Sequence, residues 1–290
     1  MSSRSKKIIR RTVITILIVY LAGGFLLYIF QDLLIFHPEP LPKEHKFSFE
    51  QPYEELNIPF GKDNLNIVKF KTSQTRKGIV LFFHGNMKNV EHYKQYPLLF
   101  TKNGFEIWMI DYPGFGKTTG KRSEKIMYEQ SMIMYDKAAK EIAPDSILIY
   151  GKSLGTGLAS YLAVEKKSRL LILETPYYSI EELAGDLFPI YSFIPLTRFS
   201  FPNGEYLKKI KIPDKLGLIG FSNLDLTDLL VPALSVIRQP AFDMGKIAAE
   251  LLIKLIEAKR PPGDFETKIL PPELLIRDSS KRKKRVSSEM

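Results

Sequence analysis

The chain is 290 residues long and contains no cysteine, which excludes disulfides, thiolate metal sites and a cysteine nucleophile. Its formal net charge is +10, but ten of its 42 basic residues lie in two terminal clusters, at residues 4–11 and 281–285. The other 32 balance the 32 acidic residues, so the body of the protein has no excess positive charge for binding phosphate backbones. We therefore expect no nucleic-acid partner, and nothing in the sequence indicates a cofactor or a metal site.

An uncharged apolar segment of 19 residues, TVITILIVYLAGGFLLYIF, occupies residues 12–30. As a helix it would be roughly 28 Å long, which is enough to cross the hydrocarbon core of a bilayer. A cleaved signal peptide would have a shorter apolar stretch and a small-residue cleavage site, whereas this segment continues into Gln31-Asp32-Leu33-Leu34-Ile35-Phe36. We predict a retained single-pass anchor over residues 1–36 that contacts the lipid bilayer through residues 12–30. The basic N-terminus should be cytoplasmic, which places the main domain on the far, periplasmic or extracellular, side.

From residue 50 to about residue 212, predicted strands and helices alternate. The last four predicted strands are short apolar runs, as expected for strands buried on both faces of a mostly parallel sheet. The pattern indicates an α/β layer arrangement. The predicted strands are Glu55–Phe60, Leu65–Lys71, Gly78–Phe83, Phe105–Ile110, Ser146–Tyr150 and Arg169–Glu174, and the predicted helices are Glu124–Ala143 and Leu154–Lys166.

A nucleophile motif, Gly151-Lys152-Ser153-Leu154-Gly155, lies between a predicted buried strand and a predicted helix. In that position a G-x-S-x-G sequence is typical of a nucleophile elbow, in which the glycines permit a tight turn that exposes the serine hydroxyl. The alternative is a serine that only caps the start of the helix. We favour the elbow and predict that Ser153 is the nucleophile.

A second element, Phe82-Phe83-His84-Gly85-Asn86, ends another apolar strand. A backbone amide near Asn86 or Met87 would pair with the amide of Leu154 to bind the oxyanion of a tetrahedral intermediate. His84 has two interpretations, a general base or a packed histidine at the end of a strand, and we favour the packed histidine.

A third element, Asp111-Tyr112-Pro113-Gly114-Phe115-Gly116-Lys117-Thr118, contains a GKT sequence that suggests a phosphate-binding P-loop. That motif requires glycine five positions before Gly116, and this position is Asp111, so the P-loop is excluded. We expect Asp111 to order the loop after its strand rather than to take part in chemistry.

Taken together, QDLLIFHP (Gln31–Pro38), FHGN (Phe83–Asn86), DYPGFGKTTGKRSE (Asp111–Glu124), YGKSLGTG (Tyr150–Gly157) and ETPYYS (Glu174–Ser179) resemble the membrane-anchored bacterial α/β-hydrolases. The resemblance extends through FPNGEYLKKIKIP, which ends at Pro213. It implies an α/β-hydrolase domain over residues 37–212 that acts on small ester or acyl substrates. It also implies Ser153 as nucleophile, an oxyanion hole from the backbone of Leu154 and Asn86, and a cap over an apolar acyl pocket at Tyr177–Leu196.

This chain departs from that family in its catalytic triad of serine, acid and histidine. In this fold the acid and then the histidine follow the serine, but all four histidines of the chain, at positions 37, 45, 84 and 92, precede Ser153. Without a base the serine hydroxyl is a poor nucleophile at neutral pH, so we expect impaired activity. Asp225 is a candidate for the acid, although we favour a solvated loop or helix-capping role for it.

The chain after Ile212 has a different resemblance. IPDKLGLIGFSN (Ile212–Asn223), VPALSVIRQPAFDMGKIAAELLIKLIE (Val231–Glu257) and LPPELLIRDSS (Leu270–Ser280) resemble the C-terminal end of the ligand-binding domain of lactose-repressor-type regulators. This implies a periplasmic-binding-protein-like fragment over residues 213–280, with a strand, a second strand at Leu234–Arg238, a helix at Ala241–Lys259 and two short strands. The Asn223 loop would border a sugar or nucleoside site.

Most of that ligand-binding domain, and the DNA-binding headpiece, have no counterpart in these 290 residues, so neither effector nor operator binding is expected. Residues 281–290 are predicted to be a disordered basic tail. A chimera explains both resemblances, either as a gene fusion or as a sequence-assembly join. The alternatives to an impaired serine hydrolase are a non-catalytic membrane protein, in which the tail completes the sheet, and a ligand-binding fragment like that of a transcription regulator.

Overall fold

The computed structural model describes residues 3–191, 197–210, 219–221, 233–257 and 268–280. A long N-terminal helix leads into an α/β body with a six-stranded sheet, which is followed by a separate three-stranded sheet. The α-helices are α1 (Ser3–Ile35), α2 (Tyr96–Thr101), α3 (Glu124–Glu141), α4 (Gly155–Glu165), α5 (Ile180–Leu187), α6 (Asn203–Lys209) and α7 (Ala241–Glu257). The strands are β1 (His37–Pro38), β2 (Glu54–Phe60), β3 (Asp63–Phe70), β4 (Gly78–Phe83), β5 (Met87–Lys88), β6 (Phe105–Ile110), β7 (Ile147–Lys152), β8 (Leu170–Glu174), β9 (Ile219–Phe221), β10 (Ser235–Arg238) and β11 (Glu273–Leu275).

The six-stranded sheet has the order β2-β3-β6-β4-β7-β8. The pairs β6–β4, β4–β7 and β7–β8 are parallel, whereas β2–β3 and β3–β6 are antiparallel. The predicted α/β fold with a mostly parallel sheet is therefore confirmed. Because parallel strands end at the same edge, the carboxyl ends of β4 and β7 lie side by side, with Phe83 opposite Gly151.

The core surrounds the central strands. Every residue of β4 is buried, as is every residue of β6 after Phe105, including the charged Glu106, so both strands are covered on both faces. One apolar cluster lies on the α3–α4 face and a second on the α2 face. Phe36, directly after α1, is 2% exposed and packs edge-on against Phe115 and Phe199, so the core begins where the helix ends.

Helix α1 is longer than the apolar segment that predicts it. Its residues Arg4–Ile35 have the length and the composition to cross a membrane, with a mean hydropathy of 2.5 and 6% burial over the most apolar window. Most of its large apolar side chains are exposed, for example Val19 at 65% and Phe25 at 63%. Its C-terminal half, however, contacts the α/β body along one side.

The C-terminal segment forms the second sheet, in which β10 pairs parallel with β9 and antiparallel with β11. Cα atoms of β9 lie within 8 Å of those of β8, at the edge of the larger sheet, although the two strands are not hydrogen-bonded. The predicted second strand and helix are present. Of the two short strands predicted after the helix, β11 is present, and residues 258–267 lie outside the residues that the structure describes. Phe242 on α7 is 83% exposed and Met244 is 47% exposed, so part of the helix's apolar surface is uncovered by the residues that the structure describes.

Candidate active site

Ser153 lies on a sharp turn between β7 and α4. Its φ is +47°, in the left-handed region that non-glycine residues seldom adopt and that is typical of a nucleophile elbow. The backbone amide of Ser153 donates to the Glu174 carbonyl over 2.8 Å, and the Ser153 carbonyl accepts from the Thr156 amide over 2.8 Å and the Thr156 hydroxyl over 2.6 Å. These bonds hold the strained turn in place, and Ser153 stays half-buried rather than buried.

The glycines of the motif are required by close packing. A Cβ atom on Gly155 would lie 2.1 Å from the Phe83 carbonyl oxygen and 2.6 Å from that of His84. A Cβ atom on Gly151 would lie 2.6 Å from the Gly155 carbonyl oxygen. The start of α4 therefore packs directly on the end of β4, which brings Ser153 next to the loop that follows β4.

That loop carries the predicted oxyanion residue, Asn86. Among the residues that the structure describes, the backbone amides of Asn86 and Leu154 donate no hydrogen bond to another group. The Asn86 carbonyl accepts from the His37 amide over 2.9 Å, and its side-chain amide donates to the Ile35 carbonyl over 2.9 Å. The structure thus brings Ser153, Leu154 and Asn86 together, and it fixes the Asn86 loop against the end of α1.

A cavity of about 260 Å³ opens beside Ser153. Ser153 and Asn86 are among the polar residues of its lining, and much of the remaining lining is apolar. One wall comes from α5 and the residue that follows it, within the predicted cap, namely Ile180, Leu183, Ala184, Leu187 and Phe188. Another wall comes from the last turns of α1, namely Leu27, Gln31, Leu34 and Ile35.

Helix α5 was not predicted as a helix, although a cap was predicted at Tyr177–Leu196. Ser179 caps it, accepting from the Glu182 amide over 3.0 Å. This Ser-x-x-Glu pattern at Ser179–Glu182 is a recognised start signal for a helix. The contribution of α1 to the cavity has no comparable signal, because a uniformly apolar segment does not indicate which face packs on protein.

A charged cluster lies behind the elbow. Glu174, at the end of β8, accepts from the Tyr96 hydroxyl over 2.7 Å and the Tyr150 hydroxyl over 2.6 Å, and it pairs with the Lys152 ammonium. Burial opposes ionisation of Glu174, but these donors outweigh it, so the pKa of Glu174 is lowered from its ordinary value of 4.5. Burial and the adjacent Glu174 raise the pKa of both tyrosines. The cluster joins β7 and β8 beneath Ser153 as a fixed ion pair.

None of the four histidines is hydrogen-bonded to Ser153. His84 is completely buried, with Nδ1 2.7 Å from the Gly85 carbonyl oxygen and Nε2 3.3 Å from Asp111 Oδ1, as expected for a packed histidine. His45 pairs with Glu91, and His92 packs edge-on against Tyr93. The remaining histidine, His37, lies with Nδ1 3.5 Å from the side-chain nitrogen of Asn86 and does not line the cavity.

Asp111 holds the segment that follows β4, whereas the sequence predicts that it orders the loop after its own strand. It is completely buried, and its Oδ1 accepts from the Val90 amide over 2.9 Å. Burial raises the pKa of Asp111, against the opposing effect of His84 and of this amide. The acid candidate Asp225 and the ligand-binding candidate Asn223 lie outside the residues that the structure describes.

The parallel sheet, the elbow at Ser153 and the adjacent Asn86 loop define the α/β-hydrolase class of fold. Residues 74–210 match a family model of that class, described as serine aminopeptidase, S33. The solved α-beta hydrolase from Vibrio vulnificus has the same fold, with a TM-score of 0.52 and 19% sequence identity over 70% of this chain and 81% of that one.

Two curated relatives of this part are a lipase and a protein named bem46. The lysophosphatidylserine lipase ABHD12 of Danio rerio is 30% identical over 134 residues, which are 43% of this chain and 35% of the relative. Protein bem46 of Schizosaccharomyces pombe is 26% identical over 211 residues, which are 67% of this chain and 70% of the relative. This chain therefore spans about a third of the length of the lipase.

The C-terminal segment has separate relatives. Residues 207–280 match a periplasmic binding protein-like domain. The ribose operon repressor of Halalkalibacterium halodurans is 39% identical over 71 residues, which are 24% of this chain and 21% of the repressor. The two parts of the chain therefore match different family models, a hydrolase model over residues 74–210 and a periplasmic binding protein-like domain over residues 207–280.

Proposed function

We propose that the α/β body is a membrane-anchored serine hydrolase by descent, directed at small ester or acyl substrates, with Ser153 as its nucleophile. The observation that carries the proposal is the half-buried Ser153, which lies on a left-handed turn and lines a largely apolar cavity together with Asn86. The unpaired amides of Asn86 and Leu154 would bind the oxyanion of the tetrahedral intermediate. The lipase relative supports an ester substrate without identifying which one.

The missing base sets the level of activity that we propose. In a complete triad the histidine removes the serine proton, and removing triad function typically costs about 10⁶-fold in kcat. Binding and oxyanion stabilisation alone leave roughly 10³- to 10⁴-fold over water. We therefore infer a site that binds and positions its substrate but turns it over very slowly.

The domain division offers a cause for this loss. We propose an anchor over residues 1–36, a truncated hydrolase domain over 37–212, a binding-protein-like fragment over 213–280 and a basic tail beyond it. In this fold the segment after the strand that follows the cap supplies the acid and the base, and here the binding-protein-like fragment takes its place. Asp225 remains a candidate acid, and Asn223 a candidate ligand contact, on the sequence alone.

The anchor is proposed to span the bilayer once through residues 12–30, with the basic N-terminus in the cytoplasm and the catalytic body on the far side. The five basic residues before residue 12 support this orientation. A cysteine introduced at Ser3, in a chain that otherwise has none, should be protected from an impermeant maleimide in intact cells. Labelling of that cysteine without permeabilisation would reverse the topology.

A second candidate function, a non-catalytic membrane protein, is favoured by one observation. β9 lies within 8 Å of β8 at the edge of the larger sheet, which is where a tail that completes the sheet would be placed. In that case substitution of Ser153 would change neither stability nor ligand binding.

A fluorophosphonate probe tests the proposed nucleophile directly. We expect slow, stoichiometric labelling of the full-length chain that is abolished in Ser153→Ala and retained in Ser160→Ala, a serine on α4 that is completely buried. Equal labelling of wild type and Ser153→Ala would refute the assignment of Ser153. Rapid labelling at the rate of an intact serine hydrolase would instead refute the impairment.

A further inference from the structure

The helix that anchors the chain also forms part of the cavity beside Ser153. Leu27, Gln31 and Leu34 recur at spacings of four and three residues, so they share one face of α1, and all three line the cavity. Leu26 and Leu33, each one position earlier, do not line it and are 53% and 69% exposed. One face of the helix therefore lines the cavity, and the adjacent face does not.

Polar contacts hold this face of α1 against the body. Gln31 is 3% exposed, and its Oε1 accepts from the Arg198 amide over 2.6 Å. The Arg198 guanidinium also pairs with Asp32 over 2.7 Å. A buried, hydrogen-bonded glutamine at this position fixes the rotation of the helix about its axis, because another rotation would leave its amide unsatisfied.

The cap also contacts α1 at Tyr20, which is further from the end of the helix at Ile35. The Tyr191 hydroxyl donates to the Tyr20 carbonyl over 2.9 Å, the Tyr20 hydroxyl donates to the Ile190 carbonyl over 2.9 Å, and the two rings stack with centroids 4.7 Å apart. Gly23 makes room for this contact, since a Cβ atom there would lie 2.3 Å from the Tyr191 hydroxyl oxygen. Tyr20 precedes Ile35 by 15 residues, about 22 Å along the helix, so the docked cap extends into the part of α1 that is apolar on every face.

We propose that the membrane helix is a wall of the acyl-binding site, and that the cavity takes the single acyl chain of an amphiphile resident in the bilayer. This inference rests on the proposed function for the position of the reacting end at Ser153. The cavity volume of about 260 Å³ lies just below the roughly 300–1,000 Å³ of ligand pockets, which suits one chain rather than two. Polar groups at the Ser153 end would meet the ester, and the walls of α1 and α5 would enclose the hydrocarbon.

The membrane placement of α1 gives such a chain a direct route. Leu187 and Ile190, at the end of the cap, are 74% and 67% exposed beside the anchor. A cavity bounded by a membrane helix and an apolar cap edge exchanges hydrocarbon with the bilayer without exposing it to water. Leu27 and Leu34 would then set the length of chain that fits.

Photocrosslinking tests this without requiring turnover. The full-length chain in phosphatidylcholine vesicles is exposed to a monoalkyl glycerol ether with a diazirine in its chain, and saturable labelling is measured by competition with the unlabelled ether. We expect saturable labelling of peptides from α1 and α5 in both wild type and Ser153→Ala, so a failure of the hydrolase proposal would leave this result unchanged. Absence of saturable labelling from α1 would overturn the inference.

Matched substitutions locate the site. Leu27→Trp fills the cavity and should reduce saturable labelling at least fivefold, whereas Leu26→Trp, on the adjacent face, should leave it within twofold of wild type. Leu183→Trp, on the α5 wall, should reduce it independently. Circular dichroism melting checks that each variant is folded, and equal labelling of folded Leu27→Trp and Leu26→Trp would contradict a cavity on this face.

Discussion

Replacing Gly155 by alanine probes the packing that creates the elbow. The added methyl group would lie 2.1 Å from the Phe83 carbonyl oxygen, 2.5 Å from the Phe83 carbonyl carbon and 2.6 Å from the His84 carbonyl oxygen. All three atoms belong to the backbone at the end of β4, which a rotamer change cannot move. Helix α4 must therefore shift away from the sheet and carry Ser153 with it.

The expected cost follows from these contacts. Overpacking costs typically 1–3 kcal/mol, and a clash with backbone places Gly155→Ala at the upper end, about 3 kcal/mol. The better helix propensity of alanine offsets at most about 1 kcal/mol. A net loss of about 2 kcal/mol lowers the Tm by roughly 4–8 °C for a body of this size.

The assay uses the single tryptophan of the chain. Trp108 is on β6, is completely buried, and has the Lys69 ammonium 3.9 Å from its ring centroid, so its emission reports unfolding of the α/β body. Gly245→Ala, in α7, is the matched control because a Cβ atom there meets nothing within 4 Å. It should leave the Trp108 transition unchanged. An unchanged Tm in Gly155→Ala would refute the close packing of α4 on β4.

Three further predictions use the same fluorescence probe or a simple fractionation. Because the pKa of Glu174 is lowered on folding, the stability that Glu174 contributes is present above its unfolded pKa and is lost as pH falls through its folded pKa. In urea titrations Glu174→Gln should be less stable than wild type at pH 7, and its free energy of unfolding should fall less on acidification. Parallel pH profiles of the two proteins would contradict this prediction. Phe36→Ala should lower the free energy of unfolding by about 3–5 kcal/mol because the Phe36 ring lies in the core. Phe30 is 50% exposed on α1, so Phe30→Ala should lower it little. Equal losses in the two variants would contradict the placement of Phe36. The fragment 38–290 should be recovered mainly in the insoluble fraction because it lacks the α1 wall and Phe36, and a soluble monomer with a cooperative transition would count against this.

Much of the sheet was predictable because its strands are buried on both faces. Gly78–Phe83 is an apolar run between polar segments, Phe105–Ile110 is apolar except for Glu106, and the structure places β4 and β6 at the same bounds. The elbow was predictable for a related reason, since glycines on both sides of a serine after such a strand permit a turn that other residues obstruct. At Ser153 the structure has that turn, with a φ of +47°.

The arrangement around the anchor was not predictable by the same reasoning. The apolar segment at residues 12–30 has no amphipathic period to indicate its packed face, so the contact of Tyr20 with the body leaves no pattern in the sequence. The short helix α2 has too few residues for a period to be recognised. For α7 the apolar stripe was visible, but the stripe cannot reveal whether anything covers it.

Chemical rescue by imidazole tests the central claim most directly, namely that Ser153 is a nucleophile position without its base. The rate of fluorophosphonate labelling should rise with imidazole concentration in the full-length chain, because the added base can remove the serine proton, and no such rise should occur in Ser153→Ala. A fast rate without imidazole that added imidazole does not change would mean that this chain already supplies a base, and would contradict the claim.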